Sequence, residues 1–347
     1  MLKGDWHAGA CYIASLYLVS SEWRGAPPKR WPKVADALMR AGDAGAMGAT
    51  VNGLLREEGL WEEAALMDEP GRLAWAEELV RCGRVLTVFD GAYPTGWLEG
   101  LGSLAPPAVW REGAVGGDRI GVVGSRELPV DYGEWSEALG GWLVSRGRGV
   151  VTGGAWGADR RAGQGAFDRG GEEAVVHILP YGLESGEMSL RGLVGSLVSV
   201  FDPRARFSGA HATVRNRLIY SWSQRTIVMH SRLGVGGTWN GATDALRRGL
   251  GQVIAVSQGR GQFGAEDGSC CLGEAQWWEP GEEGNRGLIA LGAIELAMDF
   301  GWSDQLEFLI RKPLERGQLD LFGATVVREP FGGYRVGLPT GKGGRVA

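Results

Sequence analysis

The sequence predicts an α/β protein: a doubly wound parallel sheet with a small helical N-terminal domain before it. Two observations carry that prediction. From Ile120 to Val256, short apolar runs alternate with amphipathic segments, the pattern of strands buried on both faces with helices between them. Residues 1–83 instead carry apolar positions at three- and four-residue spacing, broken by Pro and Gly, which is helical patterning. A third observation bounds the class. Of 347 residues, 60 are Gly and 15 are Trp, and the glycines follow no G-X-Y period. Collagen and low-complexity disorder are excluded, and many tight turns are expected.

Taken in order, Trp31–Arg40, Val51–Glu58 and Arg72–Arg81 read as helices, the last stopping at Gly83 as a C-cap. Arg84–Phe89 reads as a strand, Asp90–Pro94 as a turn and Pro106-Pro107 as a break. The alternating series then runs strand 120–123, helix 132–145, strand 149–152, helix 157–167 and strand 174–179. It continues with helix 214–221, strand 226–230, helix 243–248 and strand 252–256. Gly259–Gly268 reads as a loop and Gly287–Phe300 as a helix, and the Gly-rich, basic tail after Phe322 is expected to fray. The expected divisions are a helical domain over 1–83, the sheet domain over 84–280, and a helical extension with a flexible tail over 281–347.

Composition is that of a soluble globular chain, with 44% hydrophobic and 22% charged residues. The apolar stretch Ala10–Val19 is about half of what spans a bilayer, and it lacks the flanks of a signal peptide. Cys11, Cys82, Cys270 and Cys271 form no disulfide framework and no zinc spacing. A reducing cytoplasm, no metal and no cofactor are expected. Net charge is −5, which argues against non-specific nucleic-acid binding by the whole chain. Its distribution points the other way. Between Pro203 and Leu250 stand eight arginines (204, 206, 215, 217, 225, 232, 247, 248) and one acid, Asp244. Arginine offers forked donors for phosphate and a plane that stacks on bases.

In open α/β sheets ligands bind beyond the carboxyl ends of the strands, and three such ends are rich in small residues. The first carries Gly124, Ser125 and Arg126, where glycine lets amides approach a phosphate and the side chains add donors. It is not G-x-G-x-x-G, so a dinucleotide fingerprint is unsupported. The second runs Thr152-Gly153-Gly154-Ala155-Trp156-Gly157-Ala158-Asp159, again an anion site in outline. Asp159 reads better as an N-cap or first-turn acid than as a catalyst. The third spans Gly234–Ala242 and contains Gly236, Gly237 and Thr238. Between them, Phe207 follows Arg204 and Arg206, and Arg215-Asn216-Arg217 leads a helix. Phe207 could stack a base, as aromatics beside arginine do in single-strand sites, or pin its loop to the core. The four histidines (7, 177, 211, 230) form no Ser/His/Asp arrangement, and His177 in an apolar strand reads as a core histidine. No catalytic residue is assigned.

In order, these segments resemble the DNA-processing protein A family (DprA, also called Smf). The likeness runs from about Arg84 to Pro280. It includes Asp90 and Tyr93-Pro94, Val122-Val123-Gly124-Ser125-Arg126, the Gly153–Asp159 turn, Leu179-Pro180-Tyr181-Gly182-Leu183, Phe207, and Arg215–Ile219. The resemblance implies a Rossmann-like core that binds single-stranded DNA, a homodimer, and protection of incoming strands with loading of the recombinase RecA during transformation. It places the DNA contacts at Gly124, Ser125, Arg126, Phe207, Arg215, Asn216 and Arg217. This chain departs from the pattern at Gly163, where the family carries His, and at Ala158, where it carries Ile. It also departs in Gly236–Ala242, which stands in place of a Ser-Gly…Thr-Ala run and marks a divergent branch. DNA binding carries over better than biological role.

Gln318-Leu319-Asp320-Leu321-Phe322 resembles the pentapeptide that docks bacterial proteins on the replication sliding clamp. The alternative is an amphipathic segment folded back on the core. Two further functional readings stay open. One is a nucleotide sensor or nucleotide-cleaving enzyme of the same Rossmann class, for which no Glu follows Gly236-Gly237-Thr238 at the matching place. The other is an adaptor whose tail recruits a partner.

Overall fold

The computed structural model describes residues 6–18, 33–34, 49–258, 282–298 and 301–311, together with short strands between 320 and 337. The helix expected over Trp31–Arg40, the Gly259–Gly268 loop, and Cys270 and Cys271 lie essentially outside the described residues, as do Gln318, Leu319 and Phe322.

Four helices come first: α1 (Trp6–Tyr17), α2 (Ala49–Glu57), α3 (Trp61–Met67) and α4 (Arg72–Arg81). They gather around Ile13, Leu55, Leu60 and Ala76, and this cluster also takes in Trp110, Leu179 and Tyr181 from the sheet domain. Strand β1 (Val85–Thr87) and helix α5 (Thr95–Leu101) lead to β2 (Ala108–Glu112). The alternating series is then β3 (Arg119–Val123), α6 (Val130–Ser145), β4 (Gly149–Thr152), α7 (Ala158–Gly170), β5 (Val175–Leu179), β6 (Ser196–Ser199) and α8 (Gly209–Ser223). It runs on through β7 (Arg225–Val228), α9 (Gly236–Arg248), β8 (Gln252–Ser257), α10 (Glu282–Ala290), β9 (Ile294–Ala297) and α11 (Trp302–Arg311). A separate antiparallel meander joins β10 (Asp320–Leu321), β11 (Ala324–Arg328) and β12 (Tyr334–Gly337).

The strands form one nine-stranded sheet, ordered β1-β2-β6-β5-β4-β3-β7-β8-β9. From β6 to β9 every pairing is parallel, while β1 and β2 add an antiparallel edge. This is the doubly wound, Rossmann-like sheet the sequence predicted. Residues alternate between faces as strand geometry requires. Ile120, Val122, Val150 and Val175 meet Tyr132, Leu139 and Leu143 of α6 and Ala162 and Ala166 of α7 on one side. Val151, Val176, Ile178 and Val228 meet Trp97, Ile219, Ala242 and Leu288 on the other.

Glycine allows the helices to close on each other. A Cβ at Gly140 of α6 would lie 2.0 Å from the Ala162 carbonyl oxygen, and one at Gly165 of α7 would lie 1.9 Å from that of Glu137. Those distances are within van der Waals contact, so any side chain at either position would push α6 and α7 apart.

Three expectations are corrected. The segment 287–300 is not one helix: α10 ends at Ala290, Gly292 turns the chain at a φ of 105°, and β9 pairs with β8. The apolar Ile294 and Leu296 that mimic a continuing helical stripe serve strand alternation instead. The sheet therefore continues past residue 280. The third glycine-rich turn is also shorter than its sequence, because Gly236–Ala242 already forms the first two turns of α9. After Phe322, β11 and β12 form strands where fraying was expected.

Candidate functional site

Strand order reverses between β3 and β7: the chain goes outward one way through β4 and the other way through β8. At that switch point, beyond the carboxyl ends of the strands, opens a cleft of about 1070 Å³. Gly124, Ser125, Arg126, Phe207, Arg215, Asn216, Arg217, Gly236, Gly237 and Thr238 all line it. Segments far apart in sequence thus meet where the fold puts ligands. Gly153 and Gly154 do not line it; they are buried behind it, and Ala155 and Asp159 of the same turn reach the surface of the cleft.

Asp159 explains that arrangement. It is 3% exposed and stands in the first turn of α7. One carboxylate oxygen accepts the Gly124 amide at 3.1 Å, and the other accepts the Gly153 amide at 3.0 Å. The ends of β3 and β4 are thereby fastened together. The two amides expected to cradle a phosphate are already bound to this built-in anion. Arg215 completes the group, with its Nη1 3.6 Å from Asp159 Oδ2. Burial pushes the Asp159 carboxyl up, opposed by Arg215 and by the amides of Gly124 and Gly153. A Cβ at Gly153 would sit 1.1 Å from Arg215 Nη1, so only glycine leaves the guanidinium its place.

Asn285 of α10 does the matching work on the other side of the switch point. Its Nδ2 donates to the carbonyls of Val228, Met229 and Val256, and its Oδ1 accepts from Ser231 Oγ. Nothing in the sequence marks it out. Ser125 adds a third tie, its amide and hydroxyl both donating to the His230 carbonyl at 2.9 and 3.2 Å.

Arg225 is buried at the start of β7, bonded to Gln252 Oε1 and the Ile310 carbonyl; Arg126 and the other seven arginines divide into three groups. Arg215 is buried, and its Nε and the Tyr220 hydroxyl have no hydrogen-bond partner among the described residues. Both residues line the cleft. Arg217 donates through Nε to Asp244 Oδ2 at 2.8 Å, while Arg247 Nη2 and Arg248 Nε reach Asp244 Oδ1 at 3.0 and 2.8 Å. Burial raises the Asp244 carboxyl, but the bonds from Arg217, Arg248 and Arg247 outweigh it and hold the group at about 2. Arg126, Arg204, Arg206 and Arg232 are exposed and make no ion pair with a described carboxylate. Only Arg126 and Arg232 of these four line the cleft.

The cleft is therefore less positive than the arginine count suggests. Arg126, Arg215, Arg217 and Arg232 line the cleft alongside Glu127, Asp159, Asp244 and Glu283, so its wall has no formal net charge. The surplus sits outside it, on Arg204, Arg206, Arg247 and Arg248.

Asn216 is also engaged, donating to the Gly237 carbonyl at 3.0 Å and so linking α8 to the start of α9. Phe207 is 46% exposed and belongs to no core cluster, so it does not pin its loop to the core. Its amide donates to Glu187 Oε1. Trp156, not singled out by its sequence context, is 57% exposed, with the Arg160 guanidinium 3.7 Å from its ring centre. Val235 caps α9 without a side-chain bond, leaving that helix N-terminus facing the cleft.

His177 is a core histidine. Its Nε2–H donates to the Val194 carbonyl at 2.9 Å, and burial pushes its pKa down to about 4. A Cβ at Gly163 would lie 2.9 Å from His177 Cε1, so the space next to the position where the resembled family carries His is filled by this strand histidine. Among the described residues no group of three His, Cys, Asp or Glu could hold a metal ion, and no helix is long and apolar enough to cross a membrane.

Comparison with known proteins agrees with the fold. The family model of DNA recombination-mediator protein A matches residues 84–272, more than half of the chain. A protein assigned as DNA processing protein DprA in Mycobacterium tuberculosis strains CDC 1551 and H37Rv is 29% identical over 201 residues. That alignment covers 52% of this chain and 50% of the relative, so the chain spans about half the length of the curated relatives it matches. The X-ray structure of DNA processing protein A from Streptococcus pneumoniae superposes with a TM-score of 0.55 at 17% identity, covering 87% of this chain and 95% of that one. A Helicobacter pylori structure, described for its single-stranded DNA binding mode, gives 0.49 at 17% identity over 66% and 96% of the two chains.

Proposed function

This chain belongs to the DNA recombination-mediator protein A family, and we propose that it binds single-stranded DNA in the cleft between β3 and β7 and processes DNA without catalysing a reaction itself. The observation that carries this reading is the convergence at one switch point of Arg126, Arg232, the exposed Phe207 and the uncapped start of α9. Arg126 and Arg232 are available to phosphate, and Phe207 offers a face to an unstacked base. The cleft's two buried carboxylates, Asp159 and Asp244, are committed to arginines, and its other two, Glu127 and Glu283, are exposed, so no buried carboxylate described in the cleft is free to act as a general acid or base.

The test is fluorescence anisotropy of the protein with labelled oligo-dT and with matched duplex at two salt concentrations. Salt-sensitive binding that favours the single strand is expected; binding to neither sinks the reading. One observation favours a second reading as a small-nucleotide sensor: an uncapped helix N-terminus is an anion site on its own. Displacement of oligo-dT by a mononucleotide at comparable concentration would support it.

RecA loading, homodimer assembly and a cytoplasmic setting accompany the first reading through the family likeness, and Gln318–Phe322 adds docking on the sliding clamp. Co-purification with each partner, and light scattering for the dimer, test these separately.

A further inference from the structure

We propose that the surface of α8 and α9 beside the cleft carries a second stretch of nucleic-acid backbone, held by Arg247 and Arg248. This rests on the single-stranded DNA reading above. The cleft wall balances four arginines against four carboxylates, so it cannot by itself supply the counter-charge a polyanion requires. Beyond the two contacts that Arg126 and Arg232 offer, phosphate contacts must come from arginines beside it.

Helix α9 starts at the cleft and leads away from it. Asp244 lies eight residues below Gly236, about 12 Å along the axis at 1.5 Å per residue, and still borders the cleft. Around this one carboxylate stand Arg217, Arg247 and Arg248, a cluster with a net charge of +2. Asp244 is the sole acid between Pro203 and Leu250.

The hydrogen-bond pattern leaves this cluster open to a ligand. Arg217 and Arg248 bind Asp244 through Nε, and neither has a further hydrogen-bond partner for its two Nη groups among the described residues. Arg247 binds through one Nη. The side chains of Arg247 and Arg248 are 74% and 46% exposed, although both are drawn toward a fixed point. An arginine already oriented by a carboxylate loses less freedom when it meets a phosphate. At the 3.4 Å per nucleotide of a stacked strand, 12 Å corresponds to about three or four nucleotides. Arg217 and Asp244 stand at the edge of the cleft while Arg247 and Arg248 stand outside it, so a strand anchored at the start of α9 meets those two only if it continues that far along the helix.

The experiment compares dT3, too short to span that distance, with dT20 on the parent and on the double variant Arg247→Gln/Arg248→Gln, by anisotropy over a salt series. The expected result is about a tenfold loss for dT20 and less than a twofold loss for dT3. The salt slope for dT20 should become shallower by about 1.4, two phosphate contacts at about 0.7 each. Equal loss on both lengths, or no loss on either, overturns the proposal while the parent's binding leaves the single-strand reading standing. If the parent binds neither oligomer, the single-strand reading fails and the proposal fails with it.

Discussion

Asp159→Ala should unfold the cleft rather than merely weaken its binding. The carboxylate accepts two buried amides, Gly124 and Gly153, and faces Arg215. Truncation leaves a buried guanidinium with no counter-ion, and breaking a buried pair by removing one partner costs about 3–5 kcal/mol. For a unit the size of the sheet domain, 1 kcal/mol shifts the melting temperature by about 2–4 °C. The expected drop is thus roughly 6–20 °C, read by circular dichroism at 222 nm. A second variant separates the orphaned charge from simple loss of packing. In Asp159→Leu/Arg215→Met no charge is left buried, so the double variant should melt well above the sum of the single losses, with a coupling of about 0.5–3 kcal/mol. If Asp159→Ala melts within about 2 °C of the parent, or if the two losses simply add, Asp159 does not hold the two strand ends together.

Other consequences follow from the same geometry. Arg126→Ala removes an exposed cation, so the melting temperature should hold while the oligo-dT salt slope becomes shallower by about 0.7; an unchanged slope would remove Arg126 from the site. Phe207→Ala should cost about 1–3 kcal/mol of oligo-dT affinity if one base stacks on the ring, and wild-type affinity would show that no base does. His177 sets a pH dependence of stability. Its folded pKa of about 4 lies below the ordinary 6.5, so the unfolded chain binds the extra proton first and stability falls as pH drops from about 6.5 toward 4. At 1.36 kcal/mol per unit the loss approaches about 3 kcal/mol, and denaturant titrations of His177→Gln should show a flatter profile across that window. A variant profile parallel to the parent's would assign the dependence to another group.

The sequence made the parallel sheet legible because strands buried on both faces must be apolar along their whole length. Ile120–Val123, Gly149–Thr152 and Gln252–Val256 stand out for that reason, between glycines that turn the chain. Strand β6 escaped notice because Ser196-Leu197-Val198-Ser199 is short and ends in hydroxyls. The buried Ser199 Oγ is satisfied by the Tyr181 carbonyl, a partner 18 residues away that no local pattern reveals. The start of α9 was missed because Gly236, Gly237 and Gly241 oppose helix formation locally. A Cβ at Gly241 would lie 2.7 Å from Asn216 Nδ2, so tertiary contact with α8 sets the residue there. The residues around the cleft were legible from fold rules, since strand ends at a switch point must converge. Which of them were free was not. A count of eight arginines between Pro203 and Leu250 says nothing of how many meet Asp159 or Asp244, because those pairings depend on distances set by the packed helices.

The two buried ties at the switch point are chemically complementary, and that constrains how the cleft can work. Asp159 offers only acceptors and takes backbone N–H groups, from Gly124 and Gly153. Asn285 donates through Nδ2 to three carbonyls, from Val228, Met229 and Val256. Each satisfies main-chain groups that the strand ends would otherwise leave unpaired in a buried place. The floor of the cleft is consequently fixed before any ligand arrives, and the backbone amide of Gly124 has none of its hydrogen-bonding capacity left for a phosphate. Recognition then falls to the uncapped start of α9 and to side chains on the rim: Arg126 and Arg232, the face of Phe207, and the arginines outside. On the single-strand reading those groups would make charge and stacking contacts, which every nucleotide offers alike. A rigid floor beneath a rim of arginine and aromatic side chains is thus suited to holding a strand without reading its sequence.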